Sequence, residues 1–146
     1  MKREALHKIL RLPLVPLISL ANKTRREFLG DKIELCSIIN AKSGRCNQDC
    51  KFCAQSRRHK TGIETYALKS KKEIMVAAMR AQDIGARRFG IVTSGNVLSR
   101  EELKRVCEVA SEIKKKLDIK LCASLGSISE EGLRLLKEAG VSRYHH

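Results

Sequence analysis

Residues 36–56 read CSIINAKSGRCNQDCKFCAQS, and their reading decides the fold. An apolar run ends in a stretch that places Cys46, Cys50 and Cys53 in the spacing C-x3-C-x2-C, with Phe52 just before the last thiol. Thiolates are soft ligands that suit iron–sulfur clusters or zinc. A 4Fe–4S cube normally takes four cysteines, so three thiolates on one short loop would hold three irons and leave the fourth open to a small molecule. A structural zinc site and unliganded reactive thiols are the other readings. Structural zinc wants four closed ligands, and His59 or Cys36 would have to supply the fourth.

Outward from that loop, short apolar runs alternate with amphipathic ones. Residues 32–40 read as a first strand, rich in Ile and Leu. The connection from Ala41 to about Leu68 is long for a compact domain, which marks it as functional or disordered. Ser70-Lys-Lys-Glu73 is a capping box that opens a helix, with Ile74, Ala77, Ala78, Ala81 and Ile84 on one face and Gly85 as its stop. Residues 89–94 read as a second strand. Ser99-Arg-Glu-Glu102 is another capping box, followed by the inward face Leu103, Val106, Cys107, Ala110 and Ile113. A third strand at 119–124, a helix from about Ser129 to Ala139 stopped by Gly140, and a fourth strand from Val141 complete the order β-α-β-α-β-α-β.

That order predicts an α/β fold with a parallel sheet and right-handed crossovers. Periodicity alone allows either a doubly wound sheet or part of a (βα) barrel. A chain that stops inside its fourth strand leaves an open edge and an uncovered face. It is therefore expected to be the N-terminal portion of a longer protein, or a truncated product. Residues 1–31 are expected to form a helical lead-in that precedes the partial barrel of residues 32–146. A short helix over 1–11 is followed by a second beginning near Pro16, with Leu17, Leu20, Ala21, Thr24 and Phe28 on one face and Gly30 at its end.

At 146 residues and 42% hydrophobic content, the chain fits one folded domain. Its net charge of +14 comes from 30 Lys and Arg against 16 Asp and Glu, scattered over helix faces, which predicts a solvated basic surface. Aromatic residues make up 3%, too few for a base-stacking platform, so no nucleic-acid partner is expected. The six cysteines are unevenly clustered, unlike a secreted disulfide scaffold. A cluster loop also demands reduced thiols, so the expected compartment is the cytoplasm. Leu12–Ala21 is apolar, but Pro13 and Pro16 interrupt it and it is too short to span a bilayer, so no membrane association is expected.

The stretch 36–56 resembles the first strand and cluster loop of the biotin synthase family, within the radical S-adenosylmethionine (SAM) superfamily. TGIETYAL (61–68), RRFGIVTSG (87–95), LCASLG (121–126) and AGVSRYHH (139–146) continue the resemblance in order. It covers nearly the whole chain, but only the first half of that family's length. The resemblance implies a radical SAM barrel, here about three and a half βα units. It implies a 4Fe–4S cluster on Cys46, Cys50 and Cys53, with SAM chelated at the open iron. Fed by a reducing electron donor, that cluster would cleave SAM to methionine and a 5′-deoxyadenosyl radical. The implied reaction is sulfur insertion into dethiobiotin after hydrogen abstraction; a homodimer stays open.

Alternation in the third strand sets Cys122 with Lys120 and Ser124, opposite Ile119, Leu121 and Ala123, so Cys122 is expected to point into the barrel. A buried cysteine acting as a small hydrophobe is the plain alternative. The resemblance makes Cys122 a ligand of an auxiliary iron–sulfur cluster, the sulfur donor. Many members of that family have a second auxiliary cysteine after Arg-Phe in strand two, whereas here Arg88-Phe89 is followed by Gly90. Cys36 shares strand parity with Glu34, Ile38 and Asn40 and is the candidate replacement, or else a core residue. Ser94 and Gly95, with Thr93 beside them, end the second strand and are candidate SAM contacts, or an ordinary turn. Cys107 is expected in the core and His59 in solvent. Gly90 keeps open a different radical SAM C–H functionalising enzyme with no sulfur-donor cluster. A non-catalytic metal- or nucleic-acid-binding fragment is the reading from another class.

Overall fold

The computed structural model describes residues 3–146. The chain divides into two compact units, Met1–Ile33 and Glu34–His146. The first holds α1 (Arg3–Leu10) and α2 (Leu14–Leu29). Pro13 is the N-cap of α2 and Pro16 falls in its first turn, where a missing N–H breaks no helical bond. Gly30, at φ 68°, ends it by donating its N–H to the Arg26 carbonyl at 3.1 Å. Among the described residues, no helix is long and apolar enough to cross a membrane.

The second unit runs β1 (Cys36–Lys42), α3 (Lys71–Asp83), β2 (Arg88–Thr93), α4 (Arg100–Lys116), β3 (Lys120–Ser124), α5 (Glu130–Glu138) and β4 (Val141–Tyr144). Both capping boxes form. Ser70 Oγ accepts from the Glu73 N–H at 3.2 Å while Glu73 accepts from the Ser70 N–H at 2.8 Å, and Ser99 and Glu102 repeat the exchange at 3.2 and 3.0 Å. The strands lie in the order β1-β2-β3-β4, each pair parallel. A doubly wound sheet reverses its strand order at a switch point, and a barrel does not. The sequential order therefore makes this sheet an arc of a (βα) barrel.

Residues in register across parallel strands share a face. The rows Ser37–Phe89–Leu121 and Ile39–Ile91–Ala123 turn toward the helices. There Phe89, Ile91, Leu121 and Ala123 are buried with Ile74, Ala78, Val106, Val109, Ile113 and Leu136. Burying each large side chain contributes about 1.5–3 kcal/mol. The opposite face carries the rows Cys36–Arg88–Lys120 and Ile38–Gly90–Cys122–Arg143. Ile38 is 68% exposed on it.

The observed strand β1 starts later than residues 32–40 would suggest and runs on through Lys42. Its ladder begins where Cys36 meets Arg88, and Ala41 and Lys42 stay in it, across a bulge, because Ala41 is fully buried. Packing here overrides the weak strand propensity of Ala and Lys. Ile84 is exposed rather than inward because it is the C-cap of α3, beyond the last full turn. Val109 joins the inward face of α4.

The covered and open faces give a direct comparison. Leu121→Ala is expected to lower unfolding free energy by about 2–4 kcal/mol. Ile38→Ala should lower it by less than about 1 kcal/mol. Urea denaturation of both variants measures this, and equal losses would contradict the assignment of faces.

Candidate metal centre

The cysteine loop leaves the C-terminal end of β1, and its root is closed twice. Ser43 and Tyr66 exchange two backbone hydrogen bonds of 3.1 Å. The Tyr66 hydroxyl donates to the Asn40 carbonyl at 2.9 Å, and the Lys69 ammonium stands 4.2 Å from the Tyr66 ring centroid. Further out, Cys46 donates its N–H to the Gln55 carbonyl and accepts from the Arg57 N–H, both at 3.0 Å. Gln55 Oε1 accepts from the Gly44 N–H at 2.6 Å and from the Ser43 hydroxyl at 3.2 Å. Cys46 thus sits buried in the clamp, while Cys50 is exposed and Cys53 half-buried on a turn closed by the Cys53 N–H to the Cys50 carbonyl at 2.9 Å.

All six cysteines are free thiols. His59 does not join the thiols. Its Nε2 lies 3.2 Å from the Cys50 carbonyl oxygen and 3.5 Å from the Asp49 carboxylate. Among the described residues, no three His, Cys, Asp or Glu side chains gather as one ion would require. A cubic cluster makes a different demand, since each thiolate binds its own iron. Three soft donors on a loop with a fixed root, Cys46, Cys50 and Cys53, fit the chemistry that a 4Fe–4S group would require.

Beside the loop lies a pocket of about 510 Å³, lined in part by Lys42, Gly44, Arg45, Asn47, Gly95 and Asn96. Gly95 therefore borders the same space as Gly44 and Arg45 of the loop. Ser94 is buried, and its hydroxyl donates to the Gly44 carbonyl at 2.7 Å, tying the end of β2 to the loop. Thr93 shares the parity of Phe89 and Ile91 and so turns away from the open face. The turns after β2 and β3 interlock. Gly126 has φ 82°, a Cβ there would overlap the Asn96 carbonyl, and the Ser127 N–H donates to that carbonyl at 2.6 Å.

Lys42 and Glu102, whose pairing the sequence did not suggest, anchor the start of the loop to α4. They meet at 2.6 Å with side chains 25% and 21% exposed. Partial burial acts to raise the Glu102 carboxyl, but hydrogen bonds from Lys42 and the Ser99 N–H, with the Lys42 charge, outweigh it and hold the group below the usual range.

On the open face, Cys122 is buried in the Gly90 row, while Cys36 is exposed in the Arg88 row. Two strand spacings and two residues of rise put their Cα atoms roughly 12 Å apart. Gly90, on the strand between them, leaves a gap that Ile38 partly fills, since a Cβ at 90 would stand 3.1 Å from Ile38 Cγ2. Cys107 packs against the core, and burial pushes its thiol up.

Residues 41–146 match the family model of the radical SAM superfamily. The chain is 53% identical over 133 residues to a biotin synthase of Clostridium perfringens, covering 91% of this chain and 42% of that protein. It is 47% identical over 141 residues to a biotin synthase of Thermotoga petrophila, covering 97% of this chain and 46% of that protein. The chain therefore spans less than half the length of these curated relatives. Among solved structures, the FeFe-hydrogenase maturase HydG from Carboxydothermus hydrogenoformans superposes with a TM-score of 0.71 at 22% identity, over 85% of this chain and 28% of that one. This likeness speaks for the fold.

The Lys42–Glu102 pair makes a pH-dependent prediction. A carboxyl held below its unfolded value stabilises the fold at neutral pH, and that contribution disappears as pH falls through the folded value. Glu102→Gln should lose about 1–2 kcal/mol at neutral pH. The gap to the parent protein should close below about pH 4, as followed by urea denaturation across pH. A gap that does not change with pH would show that the charge of Glu102 is irrelevant.

Proposed function

The chain belongs to the radical SAM superfamily, and from that premise we propose that it forms the N-terminal part of a biotin-synthase-type enzyme, which inserts sulfur into dethiobiotin. The observation that carries this reading is the C-x3-C-x2-C loop leaving β1 of a sequentially ordered parallel sheet, the end of a barrel where active sites are built. Similarity to biotin synthases over nine-tenths of the chain supports the choice within the superfamily. The activity is proposed for the assembled barrel of which these residues are a part.

Cys46, Cys50 and Cys53 hold the 4Fe–4S group in this reading. When bound, that group supplies the electron that breaks the sulfonium bond of SAM, giving methionine and a 5′-deoxyadenosyl radical. The chain's own residues place the reactants. Gly95 and Gly44 offer backbone to SAM along the pocket, and Arg45 offers positive charge to its carboxylate. Ser94 acts by fixing the Gly44 carbonyl, and Glu102 by fixing Lys42. Cys122 and Cys36 hold the auxiliary iron–sulfur cluster across the gap at Gly90. The partners are SAM, dethiobiotin and a reducing electron donor. The compartment is the cytoplasm, where thiols stay reduced. Residues 1–31 are the helical lead-in to the barrel portion at 32–146.

Gly90 favours a second reading, a radical SAM enzyme that functionalises a C–H bond without a sulfur donor. Iron and sulfide analysis after anaerobic reconstitution separates the two. The sulfur-donor reading expects more of both than one 4Fe–4S group holds, with Cys122→Ala or Cys36→Ala reducing the total to that of one group. Replacing Cys46, Cys50 and Cys53 together should remove the complement that responds to SAM. A parent protein with one cluster, unchanged by Cys122→Ala, would select the second reading. Zinc without sulfide would sink both.

A further inference from the structure

We propose that Lys120 and Arg143, with Arg88 beside them, form a cationic seat around Cys122. The seat holds an anionic iron–sulfur group on the inward face of the barrel and sets its reduction potential. The proposal rests on the reading that Cys122 and Cys36 hold the auxiliary cluster, and it adds what balances that cluster's charge.

The four strands, CSIINAK, RFGIVT, KLCAS and VSRY, contain no aspartate or glutamate. Their cations are Lys42, Arg88, Lys120 and Arg143. Lys42 belongs to Glu102, at 2.6 Å. The other three lie on the open face. Arg88 Nε stands 3.7 Å from the Glu34 carboxylate, which precedes β1. Lys120 and Arg143 are exposed, and the ion pairs among the described residues include neither.

Register gathers these cations around one thiol. Arg143 is the partner of Cys122 on β4, about 4.8 Å away between Cα atoms. Lys120 precedes Cys122 by two residues on the same face of β3, about 6.6 Å away, and Arg88 pairs with Lys120 from β2. Arg143 owes its place to an irregularity, since the β3–β4 register shifts between Leu121 and Cys122. Without that shift Arg143 would share the face of Val141, which is buried in the core. With it, Tyr144 pairs with Ala123 and takes the core face, and Arg143 turns inward. On the other flank of Cys122 its partner is Gly90, so the position beside the thiol carries no side chain.

Like charges opposite one another on adjacent strands repel, and cations without counter-charge become costlier as a barrel closes over them. An anion seated among them relieves both costs. An iron–sulfur group bound through thiolates carries negative charge, and Cys122 stands among the three cations. A substrate carboxylate is the other anion of this chemistry. Arg88 and Lys120, however, are the first residues of β2 and β3, at the end of the sheet far from the cysteine loop, which favours the cluster.

The first measurement needs no cluster. On the iron-free chain, Cys122 is alkylated in parallel with iodoacetate, an anion, and with iodoacetamide, its neutral analogue, and the rates are read by peptide mapping. Both reagents attack the thiolate, so the ratio of rates reports local charge rather than the fraction of thiolate. Lys120→Met and Arg143→Met should each lower the iodoacetate-to-iodoacetamide ratio about 3-fold in low salt, an effect that shrinks at about 300 mM. Lys120→Arg should keep the parent ratio, and Cys107 on α4 should keep its own in every variant. After anaerobic reconstitution, K120M/R143M should lower the midpoint potential of the auxiliary cluster or lose that cluster, because the reduced form carries the extra negative charge. K120R/R143K should hold the parent potential, and the cluster on Cys46, Cys50 and Cys53 should keep its potential throughout.

Alkylation ratios that respond to neither substitution overturn the seat. So do an auxiliary potential and an iron content unchanged in K120M/R143M. If that variant binds dethiobiotin more weakly but binds its methyl ester with the parent affinity, the auxiliary potential being unchanged, the cations serve a substrate carboxylate and the proposal is wrong. If the alkylation ratios respond but the parent protein takes up only one cluster, the auxiliary-cluster reading fails, and the proposed occupant fails with it.

Discussion

A strand that runs parallel to its neighbour must be carried back across the sheet by a covering element, and the second unit of this chain is organised by that requirement. With α3, α4 and α5 each returning the chain, one face of the sheet becomes the core and the other is left for inward-pointing residues. Phe89 and Gly90 are adjacent in sequence, yet one is sealed among helices and the other opens a gap beside Ile38. The same return path sends every βα connection to one end of the sheet, where the cysteine loop, Gly95 and Gly126 meet.

The loop is firm at its base and free at its tip. Its base is held by backbone pairs at Ser43–Tyr66 and Cys46, by Gln55, by Ser94 from β2 and by Lys42 to α4. Fixing the base reduces the conformational freedom lost when a group binds at the tip, which favours a pre-organised donor set. β1, β2 and α4 thus all reach the loop root, and Glu102 on a helix bears on the loop through its single contact with Lys42.

What could be read in the sequence followed the range of the forces involved. The starts of α3 and α4 were legible, because Ser70–Glu73 and Ser99–Glu102 settle them within one turn. The strand–helix alternation left a barrel and a doubly wound sheet open, the family resemblance favoured the barrel, and the strand order then removed the doubly wound alternative. The limits of β1 were not legible, since they depend on where Arg88 and Thr93 lie on another strand. Nor were the protein partners of Ser94 and Lys42: the former bonds to Gly44, fifty positions away, and the latter meets a helix residue sixty positions away. Tertiary hydrogen bonds between polar residues leave no periodicity to detect.

The contact between Gly126 and Asn96 has a consequence for how such a chain changes over generations. At position 126 the backbone angle and the Asn96 carbonyl together admit no side chain, and the Ser127 N–H locks the two turns into one body. Neither turn can lengthen or drift alone, so they must be inherited as a pair. New specificity on this scaffold would arise more readily elsewhere, from residues such as Ile38 and Arg143, whose side chains stand exposed on the open face.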